Sequence, residues 1–266
     1  MPAGDLHRGA MVTATALAAA CACSAALTLF DGGRPGAVIV TADAPSATAR
    51  YAVAELNQHL EAMTGAALPV VAEGALPAGD SRPRVLVGDT AESKAAGLDS
   101  TVLDPELTVV CCTGNRLFLI GGDRGGLRRV PPAGDTATGT LYAVYDLLET
   151  DLGVRWLWPG PAGTVVPRRA TVAVADTDRR FQPPLLQRHI RPGWHDWDDA
   201  VAKLGMTADM SDRLAQEYTA WTARRRLGRR ANFRFGHAYN FWLRDYGKEH
   251  PDWFAMMPDG TRVTPE

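Results

Sequence analysis

Residues 139–160 read "GTLYAVYDLLETDLGVRWLWPG", and the way this stretch divides decides the fold class. Leu141, Val144, Tyr145, Leu148 and Leu152 recur at three- and four-residue steps, which places them on one face of a helix. Thr138 or Thr140 can cap its start, and Gly153 can take the left-handed backbone that ends it. Beyond that stop, Val154, Trp156 and Trp158 alternate with Arg155 and Leu157. That is the period of a strand burying a valine and two indoles on one face until Pro159-Gly160 halts it. A helix running straight into a strand is the joint of a layered α/β domain.

The segments upstream alternate in the same way. "AVIV" at 37–40 is a buried-strand candidate, and Pro45-Ser46 punctuates it. Ala52, Val53, Leu56, Leu60 and Met63 then trace a helix stopped by Gly65. "RVLVG" at 84–88 predicts the next strand, and "LTVVCCTGNRLFLIGG" at 107–122 a hairpin around Thr113-Gly114-Asn115. "ATVAVAD" at 170–176 predicts the last strand of a small mixed sheet carrying two helices.

With 266 residues, 46% of them hydrophobic, the chain can fill one large core or two ordinary ones. Lys and Arg number 28 against 30 Asp and Glu, with a pI near 6.3. No broad basic field follows, so nucleic acid is not an expected partner, and the ligand should be small or neutral. From residue 10 to residue 30 no side chain is charged, and His7 and Arg8 precede the run. Residues 1–30 therefore read as a secretory signal cleaved near residues 20–26, which predicts an exported protein. The run is also long enough to stay as an uncleaved anchor, and "LAAAC" ending at Cys21 resembles a lipoprotein box. Membrane attachment is expected only through this segment. Cys111 and Cys112 are strand neighbours facing opposite ways and read as two thiols; no C-x-x-C or H-E-x-x-H spacing marks a zinc site. "GGDRGG" lacks the G-x-G-x-x-G spacing of a dinucleotide cradle, so no metal or cofactor is expected.

The ordered set "YAVAELNQHLEAMTGAALPVV", "RVLVGD", "RLFLIGG" and "GTLYAVYDLLETDLGVRWLWPGPAGTVVP" resembles the N-terminal accessory domain of alpha-glucuronidases and beta-hexosaminidases. It resembles most the version heading bacterial glycosidase-like proteins of the domain of unknown function 4838 family. The resemblance covers residues 36–180, and the loop "GGDRGGLRRVPPAGDTA" is longer than the turn expected there. It implies a noncatalytic α/β layer over 36–180, followed from residue 185 to residue 266 by the beginning of a (β/α) TIM-type barrel. A barrel takes about 250 residues, so the barrel is expected to be truncated and the chain to be a fragment.

Pro183-Pro184 reads as the linker, "LLQRHIR" at 185–191 as the first barrel strand, and "NFRF" at 232–235 as the second. Between them, Leu214, Tyr218 and Trp221 trace a helix begun near Ser211. Ligand sites gather at the C-terminal ends of barrel strands, which nominates Arg188, Trp194, His195 and His237. Further on, Trp253 offers a flat face to a sugar ring, and Pro258-Asp259-Gly260 reads as a turn presenting Arg262. Plainer roles compete. His237 can be a structural histidine, Trp194 and Trp253 can be packing residues, and "ARRRLGRR" reads as a solvated helix end.

Glycoside hydrolysis requires two carboxyl groups. Asp196, Glu217, Glu249 and Asp252 are present, but nothing marks a pair, and the acid and base are expected to lie mostly beyond residue 266. The sequence thus predicts part of a carbohydrate-active protein with an oligo- or polysaccharide substrate, a glycoside hydrolase when complete. The alternative is a noncatalytic carbohydrate-binding or scaffold module.

Overall fold

A computed structural model describes residues 26–125, 137–188, 190, 205–229 and 241–262. In chain order the first strands are β1 (Leu27–Asp31), β2 (Arg34–Pro35) and β3 (Val38–Thr41), followed by helix α1 (Ala47–Thr64). Next come β4 (Val70–Ala72), β5 (Arg84–Val87), the short α2 (Ala91–Ala95), and the hairpin strands β6 (Thr108–Thr113) and β7 (Arg116–Gly121). The ladder β8 (Asp123–Arg124) with β9 (Ala137–Thr138) leads into α3 (Gly139–Asp146). After it come β10 (Arg155–Trp156), β11 (Thr164–Val165), β12 (Val172–Val174), β13 (Thr177–Phe181), β14 (Gln187–Arg188), α4 (Ala208–Arg224), β15 (Gly228–Arg229) and α5 (Trp242–Tyr246).

The main sheet has six strands in the order β13-β6-β7-β5-β3-β4; β4, β3, β5 and β7 pair in parallel, and β6 runs antiparallel to both of its neighbours, β7 and β13. Both faces are buried, and the period of two sorts the side chains between them. Ile39, Val85, Val87, Leu117 and Leu119 meet α1 and α3 in the larger core. Val38, Val40, Leu86, Phe118 and Ile120 face a smaller core closed by Leu98, Leu103 and Leu107. Fully burying one such leucine or valine contributes roughly 1.5–3 kcal/mol, so the near-continuous apolar strands carry the sheet.

The first helix forms where its periodicity predicts. Ser46 Oγ accepts from Ala49 N at 3.1 Å, the apolar stripe is buried, and Gly65 ends the helix at φ 87°. Asn57 then clamps the returning chain, donating to Leu68 O at 2.9 Å and accepting from Leu68 N at 3.0 Å. The hairpin turns at Gly114, φ 58°. Its neighbouring thiols part as expected, Cys112 into the larger core and Cys111 toward the smaller one.

The 139–160 junction holds in outline and differs in three respects. No side chain of Thr138 caps α3; Asp123 does so, accepting from Thr140 N at 2.9 Å. The helix is α only to Asp146 and finishes in a π turn over Leu147–Asp151, which leaves Leu147, Leu148 and Leu152 all fully buried before Gly153 at φ 78°. Finally, Trp156 is 1% exposed but Trp158 is 69% exposed. Strand β10 is only two residues long because the chain reverses at once: Leu157 N donates to Gly163 O at 2.7 Å and Gly163 N to Gly160 O at 3.3 Å, which puts Trp158 in the turn.

Other boundaries also move. The core begins before residue 36: residues 27–30, read as the end of the signal, form most of β1, with Leu29 and Phe30 fully buried. The rest of that segment, residues 1–25 with Cys21 and Cys23, lies outside the described residues. Val172–Val174 pairs with β1 in a separate three-stranded sheet, β12-β1-β2, and the edge of the main sheet is instead "TDRRF", a strand without apolar alternation. Among the described residues no helix is long and apolar enough to cross a membrane.

No closed barrel is found among the described residues. The expected first barrel strand is only Gln187–Arg188, and it pairs antiparallel with Gly228–Arg229, whereas barrel strands are parallel. The expected second strand, 232–235, lies outside the described residues. Helix α4 starts earlier than Ser211, with Thr207 Oγ1 capping Met210 N, and packs Tyr218 and Trp221 inward.

Three glycines hold the layers at backbone distance. A Cβ on Gly121 would stand 2.2 Å from Leu107 O, one on Gly122 1.9 Å from Asp104 O, and one on Gly139 2.5 Å from Gly122 N. These are main-chain atoms with nowhere to move. Gly139→Ala is therefore expected to cost about 3 kcal/mol or more, or to abolish folding, read as a fall in soluble yield and urea midpoint.

Candidate functional site

Two adjoining clefts of about 480 and 440 Å3 open where β3, β4 and β5 end, sharing Asp43 and Glu73. Such strand ends are where open α/β sheets bind ligands. Here, though, the carboxylates brace the loops. Asp43 accepts from Gly74 N at 2.8 Å, Glu73 from Ala91 N at 2.6 Å, and Asp89 from Ser100 N and Oγ at 2.7 and 2.5 Å. Arg124 of the "GGDRGG" run likewise donates to Ser100 O and Leu103 O. Among the described residues no group of three or more His, Cys, Asp or Glu side chains can hold a metal ion.

A buried polar cluster that the sequence did not reveal joins α1, α3 and α4. Arg224 reaches Glu55 with two bonds, Nε to Oε2 at 2.8 Å and Nη2 to Oε1 at 3.0 Å, and Tyr145 Oη donates to Oε2 at 3.1 Å. Alongside, Trp156 Nε1 donates to His59 Nε2 at 3.1 Å, so the His59 proton sits on Nδ1 and is donated to Glu55 O at 2.7 Å. Burial holds the His59 pKa below its ordinary value, consistent with that neutral form, and pushes the Tyr145 phenol well up. Trp221 Nε1 completes the seam by donating to Trp156 O at 3.1 Å. The arginine run is thus no solvated helix end: Arg224 holds Glu55, and Arg225 and Arg226 both hold Glu149.

The nominated residues separate into three groups. Arg188 is engaged on all three nitrogens, to Glu106 Oε1 at 2.7 Å, Arg226 O at 3.0 Å and Leu185 O at 2.6 Å. Trp194, His195, His237 and Asp196 lie outside the described residues. Trp253 and Arg262 are brought together: Arg262 Nη1 donates to Asp252 O at 3.3 Å and Phe254 O at 2.5 Å, one on either side of Trp253. The expected turn presents Arg262, with Gly260 at φ 83° and Thr261 N donating to Asp259 Oδ1 at 2.9 Å. Glu217 packs on α4 against Gly160, while Glu249 and Asp252 are exposed.

Trp253 belongs to a ring cluster. His250 stacks on it with centroids 4.0 Å apart and planes 4° from parallel; Tyr246 lies 5.7 Å from Trp253, and Trp242 6.1 Å from Tyr246. Trp253 is still 54% exposed, and Met256 and Met257 are exposed beside it in sequence.

Residues 158–265 match DUF4838, a domain of unknown function. The match begins at Trp158, where the opening junction ends, and takes in both the arginine run and the aromatic cluster; it is the family the sequence resembles. Among solved structures the chain is similar to a family GH115 4-O-methyl-alpha-glucuronidase, BtGH115A, with specificity for decorated arabinogalactans. That similarity has 12% identity and a TM-score of 0.41, over 73% of this chain and 24% of that one. The chain thus spans about a quarter of that enzyme. No curated protein matches it.

Two outcomes follow from these geometries. Arg224→Ala leaves a carboxylate buried without its cation and is expected to cost about 3–5 kcal/mol in urea unfolding. Burial pushes the Asp123 carboxyl up to about 6, against the opposing bond from Thr140 N. The folded state therefore favours protonated Asp123. Its contribution is full below the ordinary aspartate range near 4 and is lost as pH rises through about 6. Asp123→Asn keeps an acceptor for Thr140 N, so its stability relative to the natural chain should climb by about 2–3 kcal/mol between pH 4 and 7.

Proposed function

We propose that this chain belongs to a carbohydrate-active protein and that residues 242–262 form part of its sugar-binding surface. The observation that carries the reading is Trp253, an indole still more than half exposed after His250 covers one of its faces. Flat aromatic faces bury the apolar C–H face of a sugar ring, while nearby polar groups take its hydroxyls. Arg262 is held beside Trp253 by two carbonyls, which fixes a donor at the edge of that platform. The resemblance to glycosidase-like proteins and the match to DUF4838 support the same reading.

The finer proposal is glycoside hydrolysis by paired carboxylates, on a barrel that residues 185–266 begin, in a protein exported through residues 1–30. The layer from β1 to β13 acts as an accessory domain without catalytic groups of its own, in keeping with the clefts at its strand ends, whose carboxylates brace backbone amides. A second reading, a noncatalytic carbohydrate-binding module, draws on the same cluster, since stacking needs no acid or base.

Glycan-array binding by the expressed chain tests the platform. Trp253→Ala is expected to weaken retention at least tenfold while the melting temperature stays within a degree or two, because the indole is exposed. A chain that retains no glycan would sink the proposal.

A further inference from the structure

Among the described residues only two that are not glycine have left-handed backbone, Glu106 at φ 65° and Arg226 at φ 54°. Glycine takes this conformation without strain, and Arg226 stands just past the end of α4, where a helix-ending glycine is the common choice. A charged residue kept in such backbone points to work done by its side chain. Both residues meet the same partner. Arg188 Nη2 donates to Glu106 Oε1 at 2.7 Å, and Arg188 Nε donates to Arg226 O at 3.0 Å. The Glu106 side chain is 1% exposed, so its charge is held by Arg188 out of reach of water, and its Oε2 has no hydrogen-bond partner.

The surroundings are built to the same contact. A Cβ on Gly228 would stand 2.9 Å from Glu106 Oε1, 3.0 Å from Tyr142 Oη and 3.2 Å from Arg188 Nη2. Tyr142 Oη donates to Leu227 O at 3.2 Å, so α3 also grips the chain next to Gly228. The ladder of Arg188 with Gly228 is therefore pressed onto the accessory layer at the point where Glu106 enters β6.

We propose that Glu106 and Arg188 form a latch that fixes residues 185–188 and 226–229 on the accessory layer. The left-handed backbone at Glu106 is tolerated because the carboxylate must reach Arg188, and at Arg226 because its guanidinium holds Glu149 while its carbonyl serves as the second anchor.

The sign of one substitution tests this. Glu106→Gly removes the strain and the ion pair together. With the latch, amide hydrogen exchange of residues 185–188 and 205–229 in the full chain should speed up at least tenfold, while β3, β5 and β7 keep their protection. If backbone strain were the only feature, exchange would be unchanged or slower and the melting temperature higher, and the proposal would fall. Arg188→Lys keeps the charge but loses the fork that spans both anchors. It should speed exchange in the same segments, and it decides the matter if Glu106→Gly loses the protection of the strands; unchanged exchange in Arg188→Lys overturns the latch.

Discussion

The approach of three main-chain segments around Gly121, Gly122 and Gly139 is the constraint on which the rest of this molecule depends. Nothing with a Cβ fits there, so α3 begins at backbone distance from the end of β7 and from residues 104–107. Thr140 seals the crossing, its Oγ1 accepting from Gly121 N at 3.2 Å while its own amide is capped by Asp123. Because α3 lies so close, its larger residues, Tyr142 and Tyr145, reach across the layer and end in polar contacts with segments far away in sequence. A wider gap would put Tyr145 out of reach of Glu55.

From that crossing the polar seam follows. Two carboxylates are buried against α4 and the chain around it, and they differ in how fully they are satisfied. Glu55 receives two bonds from Arg224 and one from Tyr145, whereas Glu106 receives Arg188 on one oxygen only. Desolvating an ion pair costs several kcal/mol per charge and is offset only by good geometry with the remaining lone pairs filled. The Glu55 pair meets that condition and the Glu106 pair does not. Glu55 with Arg224 is accordingly the stronger candidate for net stabilisation, and Glu106 with Arg188 is better explained as specifying one position out of many that hydrophobic contact alone would allow.

What was legible in the sequence was local. Helix α1, its Ser46 and Gly65 ends, the Gly114 hairpin and the Gly153 stop are written in neighbouring residues whose spacing has one reading. What was not legible depended on partners far along the chain. Trp158 shares the strand period of Trp156, but it falls in the turn between β10 and β11, whose closure depends on Gly160 and Gly163. β13 has no apolar alternation because it is an edge strand, held by Arg179 to Asp146 and Asp151 at 2.7 and 2.6 Å. The arginine run reads as solvated in the sequence because its carboxylates, Glu55 and Glu149, lie 169 and 76–77 residues away.

The same division runs through the nominated site. Arg188 is nominated by its place at the end of an expected barrel strand, and that place depends on which strands lie beside it. Its observed neighbour is antiparallel, and its guanidinium is turned toward Glu106, just before β6. Trp253 and Arg262 are marked by short-range features, an aromatic residue and a Pro-Asp-Gly turn, and they come together because they lie nine positions apart and two carbonyls tie them. His250 and Tyr246, the rings that Trp253 touches, follow at steps of three and four residues, so the cluster is assembled within one short segment. A surface built this way requires no closed barrel to exist: its four rings, Trp242, Tyr246, His250 and Trp253, and the Arg262 that is tied beside them come from a single run of twenty-one residues.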